Sequence, residues 1–207
     1  MRRLTRLFVF RHGETDWNAE ERFQGHLDIP LNDRGREQAR ALGQKLLESG
    51  IEALLTSDLA RSIETARIVA GQIGLPSERI FRGVGIKEAH LGEAQGLTTE
   101  EIRERFGEGL LRRWRSNLAE DADVSYPGGE TGAQVLKRAT EAIAGFAHAN
   151  QHFSRIGIST HGGVIRRLMH RIMMSRVAIP NGVVYEVLFD PDSWPGSWPF
   201  SGVTAPD

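Results

Sequence analysis

The sequence predicts an α/β protein: a three-layer α/β/α sandwich with a mostly parallel central sheet and helices on both of its faces. Short apolar segments alternate along the chain with longer segments in which apolar residues recur at helical spacing. Two of the apolar segments also run into a His-Gly pair, at His12 and His161. Because parallel strands end at the same edge of a sheet, this pattern predicts two histidines at a ligand-binding edge.

The predicted strands are short and largely apolar. Leu7–Phe10 is apolar throughout, which is typical of a buried strand. The others are predicted at Ile51–Thr56, Ile80–Phe81 (a minor strand), Arg155–Thr160 and Val183–Phe189.

The predicted helices follow polar residues that can cap a helix N-terminus. Asn32-Asp33 precedes a helix over Arg34–Leu47, and Ser57-Asp58 precedes a second helix. The remaining helices are predicted from Thr98 through Trp114, from Gly128 toward Asn150, and from Val164 to about Met173.

Length and composition predict one domain over residues 1–207, because 207 residues can bury one sizeable core. The tail, residues 191–207, is rich in Pro, Gly and Ser and is predicted to be irregular, with Trp and Phe side chains that could dock on the domain. A net charge of −1 gives no indication of a nucleic-acid surface. No apolar run approaches the roughly 18 residues of a membrane span. The basic N-terminus is followed by too short an apolar stretch for a signal peptide.

The chain has no cysteine, which excludes a disulfide framework, a thiolate nucleophile and a Cys-based metal site. This composition agrees with a cytoplasmic location. A homodimer is compatible with the sequence, although no feature requires one.

Two strand-to-helix corners carry candidate catalytic groups. Arg11-His12-Gly13 places a cation and an imidazole at a strand tip, where the glycine allows a sharp turn and close approach of a ligand. At the second corner, His161-Gly162 opens a helix whose free N–H groups favour an anion. Either histidine alone would more often be structural; the shared context makes catalysis by the pair the better interpretation.

Two further segments supply a cation and a carboxyl group. Arg61 falls in the first turn of a helix, an unfavourable position for a positive charge unless it binds an anion beside Arg11. Glu88 and Glu93 lie in one segment, and a carboxyl group near a phosphoryl leaving oxygen can act as a general acid. The residue types alone do not choose between the two glutamates.

Taken together, these motifs resemble the histidine phosphatase superfamily, the phosphoglycerate mutase-like family. The resemblance covers roughly the first 190 residues in the expected order. Its carriers are Arg11-His12-Gly13-Glu14-Thr15 with Trp17-Asn18, Ser57-Asp58-Leu59-Ala60-Arg61-Ser62, Glu88 with Leu91-Gly92-Glu93 and Gly96-Leu97, Pro127-Gly128-Gly129-Glu130, and Thr160-His161-Gly162-Gly163.

The resemblance implies a role for each matched residue. His12 would be the nucleophile, and Glu88 would protonate the leaving alkoxide and then help to activate water. The phosphoryl oxygens would be held by Arg11, Arg61 and His161, with Asn18 and the backbone N–H of Gly162 as further donors. Thr15 and Gln24 would line the mouth of the pocket. No cofactor and no metal are expected, because the chain supplies the cations itself.

Phosphatase and mutase chemistry begin with the same phosphohistidine and differ in the acceptor. The glycolytic mutases that this chain resembles carry an insertion between the Glu and Pro-Gly-Gly-Glu motifs, whereas only Leu97 to Tyr126 lies there in this chain. Water is therefore the expected acceptor and a small phosphomonoester the expected substrate. Mutase-type transfer is the alternative. A non-catalytic or protein-directed module is a third alternative, disfavoured because every core position is filled.

Other residues have simpler interpretations. Asn18 could cap a turn instead of binding phosphate, and Gly128–Glu130 is interpreted as a turn and helix entry. Arg112, Arg113 and Arg115 are typical of a solvated face, although the family resemblance places them in a segment that covers the site. Surface or packing roles are expected for His26, His148, His152 and His170, a packing role for Trp114 and a weak pocket role for His90. Substrate specificity is expected to come from Phe23, from the segment Leu97–Leu118 and from the tail.

Overall fold

A six-stranded sheet forms the centre of the molecule in the computed structural model, which describes residues 4–116, 118–174 and 179–204. The strand order is β3-β2-β4-β1-β5-β6. The first four of these strands are mutually parallel, whereas β5 and β6 are each antiparallel to the preceding neighbour. The strands are β1 Thr5–Arg11, β2 Ala53–Thr56, β3 Ile80–Arg82, β4 Arg155–Thr160, β5 Val184–Phe189 and β6 Phe200–Thr204.

The described residues form six α-helices, which connect or cover the strands. Asn32 caps α2 by accepting a hydrogen bond from the N–H of Gly35, as the Asn-Asp signal predicts. The short helix α1 has no counterpart among the predicted elements. The helices are α1 Asp16–Ala19, α2 Asp33–Lys45, α3 Ala60–Ile73, α4 Thr99–Arg115, α5 Gly132–Ala149 and α6 Gly162–Met173. None of the helices in the described ranges is long and apolar enough to cross a bilayer.

Helices pack on both faces of the sheet, which confirms the three-layer arrangement. On one face, Leu7 and Val9 of β1 belong to a buried cluster with residues of α5 and α6. On the other face, Phe8 and Phe10 pack with residues of α2 and α3. Successive residues of β1 are therefore buried on opposite faces, and this explains why the strand is apolar without alternation.

A third apolar cluster lies beside the sheet and supports the site. It contains residues of α4 and of the segment after β3, among them Leu91, Ile102 and Trp114, together with the fully buried Tyr126. Gly107 interrupts α4 with a φ of 82°, so that this helix consists of two pieces joined at a kink.

Part of the C-terminal tail is regular, contrary to the prediction from the sequence. Phe200–Thr204 is not irregular but forms β6, antiparallel to β5, with a register irregularity between Val187 and Leu188. That irregularity, opposite a strand that contains Gly202, breaks the period-two pattern by which a strand is recognised in a sequence. The docking of the tail aromatics is confirmed, because Trp194, Trp198 and Phe200 pack against the cluster on the α5–α6 face.

The register of the parallel strands positions the site. Arg11 at the end of β1 lies opposite Thr160 at the end of β4, so that the residues that follow, His12 and His161, are brought side by side. On the other side of β4, Thr56 lies opposite Ser159, and the chain continues from Thr56 toward Arg61.

Candidate active site

His12 is held in one orientation by the backbone carbonyl of the next residue, Gly13. Its Nδ1 lies 2.6 Å from the carbonyl oxygen of Gly13, and because a carbonyl can only accept, Nδ1 carries the hydrogen. In the neutral ring Nε2 is then unprotonated. Burial, followed by the charges of Arg61 and Arg11, holds the pKa of His12 well below its ordinary value. His12 is therefore neutral at physiological pH, with a lone pair on Nε2.

A glycine is needed at position 13 for a reason other than the predicted close approach of a ligand. A Cβ at this position would overlap the carbonyl of Gly35 in α2, and a Cβ at Gly35 would overlap the carbonyl of Glu14. The glycine pair lets the loop after β1 touch the backbone of α2. Close packing of two backbones, and not space for a ligand, requires Gly13.

Two arginines flank His12, the buried Arg61 and the partly buried Arg11. Arg61 has no exposed surface and donates from Nη1 to Leu27 O at 2.8 Å and from Nη2 to Gly25 O at 2.8 Å. Burial lowers the pKa of Arg61 to about 10, so its guanidinium remains protonated at neutral pH. Arg11 donates from Nη1 to Ile179 O at 2.6 Å. The Nε atoms of both arginines are buried and have no hydrogen-bond partner among the described residues.

His161 lies against His12, with 5.1 Å between the ring centroids. Its Nε2 is 2.7 Å from Ser57 Oγ, whereas its buried Nδ1 has no partner within the described chain. If the Ser57 hydroxyl donates to Nε2, the ring proton of His161 is on Nδ1 and available to an oxygen anion. The ring is wholly buried and, unlike that of His12, does not form part of the cavity wall.

Glu88 is fixed at the N-terminus of α6. Its carboxylate accepts hydrogen bonds from the N–H of Ala89 at 2.8 Å and from the N–H of Gly163 at 2.9 Å. A Cβ at Gly163 would overlap the Glu88 carboxylate, so a larger residue at this position would displace that carboxylate. Glu93, the other candidate, is on the surface in an ion pair with Arg105. The geometry therefore favours Glu88.

A half-buried ion pair that the sequence did not predict lies under the Glu88 segment. Arg138 of α5 binds both carboxylate oxygens of Glu130 and also donates to the carbonyls of Gly85, Lys87 and Glu88, all at 2.7–2.8 Å. Burial acts to raise the pKa of Glu130, but hydrogen bonds from Arg138 and from the N–H of His90 outweigh it and lower that pKa. Glu130 therefore does more than open a helix. No signal marked Arg138, which looks in sequence like an ordinary helix-surface arginine.

Of the further phosphate donors and the mouth residues that were predicted, the structure places all but Thr15 at the cavity wall. Asn18, Gln24 and Gly162 line the cavity, and Gly162 lies against the Arg11 side chain. The Asn18 Oδ1 accepts from the N–H of Thr15 in a capping box, so the capping interpretation of Asn18 also holds. Thr15 is wholly buried as the cap of α1. The prediction that Thr15 lines the mouth is wrong, because its hydroxyl accepts a hydrogen bond from the N–H of Asn18 in the first turn of that helix.

Two side chains outside the predicted set hold the site loops. Asn181 donates to the carbonyl of His12 at 2.9 Å. His26, interpreted as surface or packing, places Nε2 2.8 Å from the carbonyl of Glu88 and packs edge-on against His90. His90 itself does not line the cavity; its Nδ1 faces the Gly128 loop.

A cavity of about 600 Å³ opens in front of His12. We call His12, Arg11, Arg61, His161 and Glu88 the inner cage, and Phe23 with helix α4 the cover. Trp114 has a double role: it stacks on Tyr126 with 5.8 Å between centroids and also lines the cavity. Of the three-arginine run, Arg115 lines the cavity, whereas Arg113 is paired with Asp121 on the surface.

The chain is similar to proteins of known family. Over 196 residues it is 38% identical to "Phosphoglycerate mutase-like protein 4" of Arabidopsis thaliana, covering 91% of this chain and 81% of the relative. It is 32% identical to "2,3-bisphosphoglycerate-dependent phosphoglycerate mutase 2" of Gloeobacter violaceus over 79% of this chain and 73% of the relative. A mycobacterial glucosyl-3-phosphoglycerate phosphatase complexed with VO3 superimposes with a TM-score of 0.75 at 26% identity, covering 88% of this chain and 90% of that chain.

The family model that matches residues 7–196 is described as the histidine phosphatase superfamily (branch 1). This match spans every element of the inner cage and most of the sheet. The chain belongs to the histidine phosphatase superfamily.

Proposed function

We propose that the protein is a metal-independent phosphatase that hydrolyses small phosphomonoesters through a phosphohistidine on His12. One observation carries the proposal. His12 is neutral, its Nδ1–H is fixed on the Gly13 carbonyl, and two arginines beside it present unpartnered Nε–H groups. Guanidinium groups match the planar geometry of phosphate oxygens, and their positive charge stabilises the transferring phosphoryl group.

The first step transfers the phosphoryl group to the enzyme. His12 Nε2 attacks phosphorus, the bond from phosphorus to the ester oxygen breaks, and Glu88 in its protonated form donates a proton to the departing alkoxide. Arg11, Arg61 and the Nδ1–H of His161 hold the phosphoryl oxygens during transfer, with Asn18 and the N–H of Gly162 as further donors.

The second step returns the enzyme to its starting state. A water molecule attacks phosphorus while the Glu88 carboxylate accepts its proton. The bond between phosphorus and Nε2 breaks, which releases inorganic phosphate and neutral His12. Glu88 suits both steps because it is held by two backbone N–H groups at the cavity wall.

Water as the acceptor is supported by the segment over the cavity. Between the Glu88 loop and Tyr126 the described chain forms α4 and a short turn at Ala119–Asp121. Arg103 and Arg115 of α4 line the cavity while being exposed to solvent. Water therefore has access to the phosphohistidine. The phosphatase similarity at 26% identity points the same way.

Mutase-type phosphoryl transfer is the second candidate, because the relatives at 38% and 32% identity are named as a mutase-like protein and a mutase. Both reactions use the same inner cage. A non-catalytic module is a weaker candidate, since no cage residue is missing.

The test is to supply an aryl phosphate with EDTA and, separately, 3-phosphoglycerate with and without 2,3-bisphosphoglycerate. The proposal predicts phosphate release in EDTA and release of glycerate from 3-phosphoglycerate. Strict dependence on a divalent metal would contradict the mechanism. Faster formation of 2-phosphoglycerate than of phosphate, dependent on the bisphosphate, would establish the mutase.

A further inference from the structure

A second cavity, of about 280 Å³, lies apart from the one in front of His12. Its wall is formed by residues of the segment after α4, of the first turns of α5 and of the C-terminal half of α6. Among the described residues, Trp114 alone lines both cavities. The wall contains no residue of the inner cage, so the phosphoryl chemistry makes no use of this second cavity.

Most of the described residues around the second cavity are apolar or small. Leu136 of α5 lies on one side. Leu118, which is 49% exposed, and Met174, which is 73% exposed, line it from the segment after α4 and from the end of α6. Apolar side chains that meet around a concave surface are typical of a ligand site, unlike single apolar residues scattered over a surface. The second cavity therefore favours a ligand with an apolar body.

A buried cation lies in the same wall. Arg167 of α6 is only 7% exposed, and its guanidinium carbon is 4.4 Å from the centroid of Trp114. It donates from Nη1 to the carbonyl of Gly163 at 3.1 Å, and within the described ranges no carboxylate lies at ion-pair distance. Burial lowers the pKa of Arg167 to about 10, which leaves it charged at neutral pH. A buried charge without a countercharge is costly.

The other charged residues around the second cavity do not supply that countercharge. Asp121 is the only acidic residue among the described lining residues, and its carboxylate is 2.8 Å from Nε of Arg113 on the surface. Arg171 adds a further positive charge at an exposed position, where it lies 4.8 Å from the centroid of Trp198. The second cavity therefore carries an excess of positive charge.

The start of α5 leaves space beside the Arg167 guanidinium. A Cβ at Gly132 would lie 3.1 Å from Nε of Arg167, a contact tighter than most real Cβ atoms make. Gly132 is also the first residue of α5, and the N-terminus of a helix carries a partial positive charge. This helix end therefore adds to the positive potential around Arg167 and does not compensate it.

We propose that the second cavity binds a small organic acid, with its carboxylate on Arg167 and its apolar body against Leu118, Leu136 and Met174. A carboxylate matches the fork of a guanidinium and supplies the missing countercharge. A singly charged group suits a largely apolar wall better than a doubly charged phosphate, because its desolvation costs less. The inference is independent of the proposed function, because the wall contains no residue of the inner cage.

The test compares hexanoate with 1-hexanol, which has no charge, and with acetate, which has almost no apolar body. NMR titration of the full chain with ¹³C-methyl-labelled methionine follows the methyl group of Met174 and gives a Kd for each probe. We expect hexanoate to bind roughly 10- to 100-fold more tightly than 1-hexanol, the range for a hydrogen bond to a charged group. Acetate should bind more weakly than hexanoate.

Variants separate the contribution of the charge from that of the apolar wall. Arg167→Gln should reduce the affinity for hexanoate to that for 1-hexanol, and Arg167→Lys should restore part of it. Because Arg167 is buried and its loss can affect folding, Ala133→Leu at an exposed lining position of α5 provides a second test. It narrows the second cavity and should weaken both probes. Glu141→Leu, an exposed position of α5 outside the wall, is the matched control and should change neither Kd.

Three outcomes would overturn the inference. The first is equal affinity of the unmodified chain for hexanoate and 1-hexanol, which would mean that Arg167 only packs on Trp114. The second is unchanged binding of hexanoate in Ala133→Leu. The third is hexanoate that binds by calorimetry but leaves the Met174 methyl signal unchanged, which would place the acid elsewhere on the molecule.

Discussion

The inner cage and the cover are built by different physical means. The cage is held by backbone: Gly13 O orients His12, the carbonyls of Gly25 and Leu27 orient Arg61, and two N–H groups orient Glu88. Its groups lie just after buried parallel strands, in the first turn of α3, or against the N-terminus of α6.

The cover is held by side chains, with an apolar cluster beneath α4 and ion pairs on its outer surface. Arg103 pairs with Glu100 and Glu108 within α4, and exposed ion pairs of this kind contribute little to stability. Gly107 also divides the helix. From this difference we infer that the cage sets the chemistry, whereas the cover selects among substrates.

The largest effect should follow removal of the cage nucleophile. His12→Ala leaves two arginines without the atom that attacks phosphorus, so kcat/KM for an aryl phosphate should fall by at least about 10⁴-fold. Steady-state kinetics measures this loss. His148→Ala, an exposed histidine far from the cavity wall, is the control and should keep full activity. Substantial turnover by His12→Ala would mean that another group is the nucleophile.

Removal of the proposed acid should depend on the leaving group. Glu88→Gln should slow alkyl phosphates by roughly 10²- to 10⁴-fold but activated aryl phosphates by far less, because only a basic leaving oxygen needs a proton. A series of phosphates with alcohols of different pKa measures this dependence. Equal losses across the series would remove Glu88 from the role of acid, and the same series on Glu93→Gln would then test the surface alternative.

Arg138 should act through Glu88. Arg138→Gln removes the donors to three carbonyls of the Glu88 segment, so we expect a loss of roughly tenfold on alkyl phosphates and a smaller loss on aryl phosphates. The double variant with Glu88→Gln should lose little more than Glu88→Gln alone. Lys137→Gln, the exposed neighbour, is the matched control. A loss of equal size on all substrates would show that Arg138 is only structural.

Low pH should reduce the free energy of unfolding because two histidines of the inner cage are buried in neutral form. Burial comes first among the causes that hold the pKa values of His12 and His161 well below their ordinary value. Unfolded histidines bind protons below about pH 6.5, whereas the folded ones remain neutral. Unfolding therefore takes up protons, and stability should fall as the pH drops below 6.5, by about 1.4 kcal/mol per pH unit for each buried histidine.

Urea unfolding at several pH values between 5 and 7 measures this slope. His161→Asn should reduce this slope by the contribution of one buried histidine. A wild-type stability that is independent of pH over this range would contradict neutral, buried imidazoles.

The smallest effects should come from the cover. Gly107→Ala forces a side chain onto a backbone with φ of 82° and should destabilise the protein by about 1 kcal/mol or more. Gly109→Ala, two residues later with open space around it, should stabilise by about 0.5–1 kcal/mol. Both should change kcat for an aryl phosphate by less than about threefold. A large loss of kcat in either would show that the cover takes part in the chemistry.

The same contrast explains what the sequence could predict. His12, His161 and Arg61 lie just after strands or in the first turn of a helix, so the sequence motif and the predicted secondary structure both point to them. The three layers of the fold follow from the periodicity of apolar residues. Thr15 was misassigned because a capping hydroxyl and a ligand-binding hydroxyl look alike in sequence. The role of Arg138 was not predicted because its partners, the Glu130 carboxylate and three carbonyls, are brought to it only by the tertiary fold.

The central claim is a covalent phosphoryl group on His12. Rapid acid-free quenching of the enzyme with a ³²P-labelled aryl phosphate, followed by peptide mapping, tests it directly. The account predicts label that is stable in alkali, lost in acid and confined to the peptide that contains His12, and absent from His12→Ala. Turnover without any trapped phosphoenzyme, or label on another residue, would contradict it.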